Sequence, residues 1–414
     1  MQATEVDVHR VQRSTLWTLS AAQMLGGVAV AGSIPAGALI AASLGGDAAA
    51  GLAATASVLG AALLALPLAR IALKRGRRAS LSTGYGLGAL GAVLVVGAGV
   101  ARSLPFVMLG CLLVGVAAAA GYQARYAATD LAVPEFRARS LSIVVWATTI
   151  GAVLGPNLLQ FSGTAALGLG LPQLTGPYLL CALSLAIAVT VLMVLLRPDP
   201  YLLSRSIAQD AQVEVLKPPA RLRDGIEHLR DHGLARLGII ALSTGHVVMV
   251  MVMVMTPVHM AHVDVSLQLI GLVISVHVLG MYALSPVVGW AVDRVGRVPM
   301  IVVGVCIFAA ACVISGLAPA NSVPLLAVGL FLLGLGWSCT LIAGSTLLTD
   351  DVDQADRPSV QGLSDLVMNL AGAIGGVIAG IIVLTSSYTV LCFAALIPVL
   401  VLGALAVPAL RRTR

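Results

Sequence analysis

Four residues on two neighbouring apolar stretches have side chains suited to holding a soft ion: Met249 and Met253 on the first, His277 and Met281 on the second. Each pair is spaced i, i+4, about 40° apart around a helix, so each lines a single helical face. The cross-pairs Met249 with Met281 and Met253 with His277 are both symmetric about position 265, inside a short polar break. An antiparallel hairpin of residues 234–262 and 266–292, turning at 263–265, therefore sets Met249 level with Met281 and Met253 level with His277. At about 1.5 Å per residue the second pair lies roughly 18 Å from the turn, near the middle of a ~30 Å hydrocarbon layer. Three thioethers and one imidazole at one depth have the donor character of a soft-metal site. Thioethers are neutral and need lose no proton in a low dielectric, which suits copper(I).

The rest of the chain is built to place such a site in a membrane. Of its 414 residues 59% are hydrophobic and 10% charged, more apolar surface than a soluble domain can bury. Apolar runs predict twelve spans, near 15–44, 47–69, 79–101, 104–127, 140–161, 175–196, 234–262, 266–292, 298–318, 323–348, 358–384 and 387–408. The polar start, Met1 to Arg13, precedes a first span too long for a cleaved leader and is read as retained. With the N-terminus in the cytoplasm, every one of the 24 Lys and Arg except Arg102 falls at a cytoplasmic end or loop, so both termini are cytoplasmic. The +6 net charge thus reports topology and gives no face for nucleic acid. Six cysteines, all inside predicted spans and without a CxxC pair, read as small apolar packing residues.

The longest polar stretch, 197–233, divides six spans (1–196) from six (234–414) and reads as a cytoplasmic linker. The halves repeat at an offset near 220: Lys74, Gly76 and Arg77 match Arg294, Gly296 and Arg297, Gly110 and Gly115 match Gly329 and Gly334, and Asp130 and Gly151 match Asp351 and Gly372. Parallel repeats of six spans give an all-α membrane fold of two six-helix bundles that resembles the major facilitator superfamily end to end. Gly289, Asp293, Arg294, Gly296 and Arg297 resemble that family's motif A, which implies a cytoplasmic turn whose acid and arginines latch one state. In the first half Ala69 and Leu73 replace the glycine and the acid, so no charge latch is expected there. Gly151, Gly155 and Pro156 resemble the glycine-proline motif of drug and proton antiporters, but a Gly-rich helix packs closely whatever it carries.

Methionine is an ordinary filler of apolar cores, so Met249 and Met253 alone do not make a site. Alternation divides Met251 and Met255 from them, towards lipid or a neighbouring helix. His277 changes the balance, because an imidazole near the bilayer centre is costly unless used. Met-x-x-x-Met on the seventh span with His-x-x-x-Met on the eighth resembles the CcoA-like branch of the superfamily. That resemblance implies a copper importer of the cytoplasmic (inner) membrane, with Met249, Met253, His277 and Met281 as ligands. It also implies a cytoplasmic copper chaperone or the oxidase assembly pathway as partner. Copper is then transported substrate, with no cofactor. His246, one turn below Met249, is an accessory ligand or a hydrogen-bonded structural residue. His259 and His262, with Asp264, form a capture site or a polar cluster at the outer mouth. Asp365 sits only about two turns into its span, and Asp130 and Arg125 near a span end, so no carboxylate is expected to couple protons. No nucleophile-base pair or phosphate loop suggests an enzyme. The alternative cargo is a small organic solute, riboflavin or a drug, which the 4% aromatic content disfavours.

Overall fold

The computed structural model describes residues 7–210, 229, 232–261, 263, 265, 267–353 and 356–412. It is helical almost throughout, and its helices stay apolar on faces that none of the described residues covers. Trp17 and Phe161 are 70% exposed and Leu384 87%. The most apolar stretch within Arg357–Thr385 is only 28% buried. Helices this apolar on their uncovered faces need lipid around them.

In chain order the helices are α1 (Val8–Gly45), α2 (Asp47–Val100), α3 (Leu104–Ala127), α4 (Arg137–Asn157), α5 (Leu159–Gly168), α6 (Gly176–Leu195) and α7 (Pro200–Asp210). There follow α8 (Gly233–Ala261), α9 (Leu267–Tyr282), α10 (Ser285–Val295), α11 (Arg297–Leu317), α12 (Val323–Asp350), α13 (Arg357–Thr385) and α14 (Tyr388–Arg412). Among the described residues eleven helical stretches are long and apolar enough to cross a bilayer. One of them, α2, is two spans: Gly76 at φ +85° breaks it in a conformation that costs glycine little. Twelve spans result. The eighth is bent rather than continuous, since α9 stops at Tyr282 and α10 restarts at Ser285 with Pro286 in its first turn.

The chain divides into two compact units, Met1–Gly225 with Asp353–Leu366, and Ile226–Val352 with Val367–Arg414. Helix α7 opens the expected linker yet belongs to the first unit, and so do the first turns of α13.

Within each unit the helices approach through small residues. A side chain at Gly60 would collide with the Leu112 carbonyl, and one at Gly115 with that of Ser57, so α2 and α3 meet backbone to backbone. Gly91 and Gly110 bring the second span of α2 onto the same helix. In the other unit Gly280 faces the Phe331 carbonyl and Gly334 that of His277, while Gly238 meets Gly344. Such contacts let dispersion and carbonyl-edge packing replace the hydrophobic drive that lipid removes. Gly151 and Gly155 likewise press on the backbone of α1 at Met24 to Gly32, which explains their presence by packing.

The repeat also corrects one correspondence. Arg77 pairs with Asp130 and Arg297 with Asp350, both through Nε at 2.8 Å, so the partner of Asp130 in the repeat is Asp350 and not Asp351. Asp351 instead accepts the Ala235 amide at the start of α8. A first-half ion pair exists despite Leu73, because the acid comes from the end of α3.

Gly115→Ala should lower unfolding stability in detergent by about 1–3 kcal/mol. Gly86→Ala, whose added carbon meets nothing within 4 Å, should leave the melting temperature unchanged.

Candidate soft-metal site

Helix α12 organises the second unit, with α8, α9 and α11 all packed along it. It is also the most buried span, at 67% of its most apolar stretch. The hairpin expected from sequence is therefore opened out. Helices α8 and α9 lean on α12 and barely touch one another, so Met249 and Met253 sit on one neighbour of α12 and His277 and Met281 on another. The physical reason is the small-residue seam: Gly280 and Gly334 draw α9 onto α12, and Gly238 and Gly344 draw α8 there.

His277 is fully buried, and its Nδ1 lies 2.8 Å from the Leu330 carbonyl oxygen. A carbonyl only accepts, so Nδ1 carries the proton and Nε2 is left with its lone pair. Nε2 has no hydrogen-bond partner among the described residues. A metal-binding imidazole characteristically uses this arrangement, one nitrogen tied to a carbonyl and the other bare.

The first unit supplies an internal comparison. Ser57, at the position equivalent to His277, has its hydroxyl within donating distance of the Cys111 carbonyl at 3.1 Å and of the Ala53 carbonyl of its own helix at 3.2 Å, and Cys111 is equivalent to Leu330. Around both bonds the glycine contacts correspond, Gly60 with Leu112 to Gly280 with Phe331, and Gly115 with Ser57 to Gly334 with His277. A serine therefore meets the structural demand at this point of the fold. The imidazole does the same and leaves a second nitrogen unused.

Met249 and Met281 are buried at 5% and 6% exposure, and Met253 is half-buried. Met251 is buried too, against Gly375 of α13, so it packs on a neighbour. Met255 is half-buried. The alternation of the four methionines therefore does not translate into an alternation of burial.

His246 is held differently. Trp337 Nε1 donates to its Nδ1 at 3.3 Å, which fixes the neutral ring as the Nε2–H tautomer, and its outer edge rests against Gly372. In that tautomer His246 offers no free lone pair to a metal. Tyr282 packs edge-on to Trp337 with centroids 5.6 Å apart. His259 stacks on Tyr388 at 4.3 Å, and the Tyr388 hydroxyl shares a 2.7 Å hydrogen bond with Thr256. His262 and Asp264 lie outside the described residues.

In the motif-A-like turn, Gly296 adopts φ +106° between α10 and α11 and turns the chain. Arg297, just past it, pairs with Asp350 at 2.8 Å and lies 3.8 Å from Asp293. Arg294 stacks its guanidinium over Trp290 at 5.6 Å, and Gly289 is buried within α10.

Sequence reasoning did not find Trp337, Leu330 or the pairing of Arg125 with Asp365. The 220-residue offset carried the signal for the second, since Ser57 and Cys111 map onto His277 and Leu330.

The major facilitator superfamily model matches residues 17–267 and 246–414. An uncharacterized MFS-type transporter, YdeG, of Bacillus subtilis (strain 168) is 40% identical over 380 residues, covering 92% of this chain and 88% of that protein. A riboflavin transporter, RfnT, of Brucella anthropi is 27% identical over 362 residues, covering 86% and 85%. Among solved structures, the proton:xylose symporter XylE superposes with a TM-score of 0.74 at 15% identity, covering 96% of this chain and 94% of that one. A bacterial homologue of the iron transporter ferroportin gives 0.70, also at 15%, with 96% and 99% covered. These likenesses, with the two repeated bundles and their paired arginine turns, make the chain a transporter of the major facilitator superfamily.

Proposed function

We propose that this secondary transporter imports copper across the cytoplasmic membrane by alternating access, with Met249, Met253, His277 and Met281 as the ligands of the moving ion. The observation that carries the reading is the bare, buried Nε2 of His277 at a position where the sister unit needs only a serine. An unpaired imidazole nitrogen in a span is expensive, and a soft cation would answer it. Met281 follows one turn along α9, and Met249 and Met253 lie on the other helix that flanks α12. Copper(I) takes two or three such donors at once, so the two helices need not supply all four in one state. The basic residues, confined to one side except for Arg102, support cytoplasmic termini. The pairs of Arg297 with Asp350 and Asp293 support the motif-A-like turn as a latch that favours one access state.

Riboflavin is the second reading, favoured by the 27% identical relative whose name states that cargo. Its structural support is the Trp337, Tyr282 and His246 cluster, an aromatic and hydrogen-bonding group of the kind a flat organic solute uses.

The discriminating experiment measures radiocopper and riboflavin accumulation in the same cells, with and without the protein. His277→Ser keeps a donor for the Leu330 carbonyl and removes the second nitrogen. It should leave membrane abundance and melting temperature near those of the parent and cut copper accumulation by about tenfold or more, as loss of one soft ligand from a small set implies. Met253→Ala should do likewise, and Met255→Ala should be mild. Unchanged copper uptake in His277→Ser, or riboflavin uptake that alone depends on the protein, would exclude the copper reading.

Asp293→Asn should slow transport several-fold while equilibrium copper binding by the purified protein is retained, because the change touches the turn and not the ligands. A parallel loss of binding would remove the latch assignment.

A further inference from the structure

A cavity of about 370 Å³ opens in the first unit where α1 and α2 end and the chain enters α6, with Ser43, Leu44, Val100, Arg102, Gln173 and Thr175 in its wall. It lies at the far end of the second span of α2 from the Gly76 turn. Arg102 is the one Lys or Arg of the 24 that the order of spans sets at that end. Its backbone is as unusual as its place. The Ser103 amide returns to the Ala98 carbonyl at 2.9 Å, the closing bond of a Schellman turn, and Arg102 fills the position before it at φ +52°. Glycine is usual there, because a β-carbon is strained in the left-handed region. A turn that asks only for glycine therefore carries the one basic side chain of this end.

The polar groups of the wall differ in what they can still donate. The Ser43 and Thr175 hydroxyls are committed at 2.7 Å to the carbonyls of Ile40 and Pro172. Arg102 and Gln173 are exposed, and their side chains make no hydrogen bond or ion pair among the described residues. Gln173 rests against Gly163 of α5, which holds it at the rim. Helix ends of both signs meet here, α1 and α2 ending while α3 and α6 begin, so their partial charges roughly offset. The full charge of Arg102 then sets the sign of the site, and the guanidinium fork suits a phosphate. Leu44 and Leu174 are half-buried beside it, and Val100 is 53% exposed.

We propose that this cavity holds the phosphate of an anionic phospholipid from the leaflet on that side of the membrane, with Arg102 as counter-ion and the Gln173 carboxamide as second donor. The volume takes a headgroup and no acyl chains, which run out past Val100 into the bilayer. A free anion in water gains little from one exposed arginine. A lipid is already concentrated at the mouth, and one arginine near the surface enriches an anionic headgroup about fivefold. Bound there, the headgroup ties together the ends of α1 and α2 and the start of α6. The inference does not depend on the identity of the cargo.

Photolabelling of the full-length protein in phosphatidylcholine nanodiscs tests it. The probes are phosphatidylglycerol and phosphatidylcholine carrying the same photoreactive headgroup tag, with labelled peptides identified by mass spectrometry. In the parent, peptides holding Arg102 and Gln173 should take the anionic probe about fivefold over the zwitterionic one. Arg102→Gln should erase that preference and leave the labelling of peptides around Arg77 unchanged. Arg102→Gly, which suits the turn, should erase it too while the melting temperature holds or rises, so a poorly folded Arg102→Gln does not blur the result. Asp47→Asn, which removes the acid that the sequence puts at the same end, should keep the preference. Unlabelled phosphatidylglycerol in the disc should suppress the label, and sn-glycerol 3-phosphate or inorganic phosphate in the buffer should not. Equal labelling of the parent by both probes, a preference that survives Arg102→Gly, or one lost in Asp47→Asn overturns the proposal. Suppression by the soluble phosphates as complete as by the lipid also overturns it, because the site would then serve an anion from water.

Discussion

A nitrogen placed inside an apolar helix pair has to find an acceptor, and the bond from His277 to the Leu330 carbonyl is that answer in the second unit. It fixes the tautomer of the ring, ties α9 to α12, and directs the remaining lone pair into a buried position. The bond forms because the two backbones are close, and they are close because Gly280 and Gly334 carry no side chains to hold them apart. The site thus depends on the packing of small residues in lipid, where an exposed leucine face gains nothing by association. Changing either glycine would move the imidazole before it touched any ligand.

The two units solve one packing problem with two side chains. Where the first places Ser57 against Cys111, the second places His277 against Leu330, with the surrounding glycine contacts repeated almost residue for residue. The arginine turns repeat as well, Arg77 with Asp130 and Arg297 with Asp350. Departures from the repeat therefore separate function from architecture. The imidazole and its flanking methionines are such a departure. So is the second buried ion pair of the first unit, Arg125 with Asp365, which has no counterpart among the repeated contacts described above.

Much of the fold was legible in the sequence because lipid leaves few choices: a run of about 20 apolar residues must be a helix, and one-sided arginines order the runs. The twelve spans and the internal offset came directly from those constraints. The lateral arrangement did not. Numerical symmetry about position 265 gives depth along the axis but not which neighbour a helix prefers, and α8 and α9 prefer α12 to each other. The pairing of Asp365 was hidden for a similar reason. Sequence placed it two turns into its span, and only the return of α13 to the first unit brings it to Arg125. His246 read as a candidate ligand because its position on the helix faces the right way, while the Trp337 donor that occupies its Nδ1 comes from 91 residues later.

The central claim is that the free nitrogen of His277 binds the transported ion. X-ray absorption at the copper edge, on the purified protein loaded with one equivalent of copper(I), tests it most directly. The account predicts a first shell of sulfur with one imidazole nitrogen, and loss of the imidazole scattering when His277 is replaced by serine while the sulfur shell remains. A copper shell without imidazole in the parent protein, or one that the serine replacement does not alter, would contradict it.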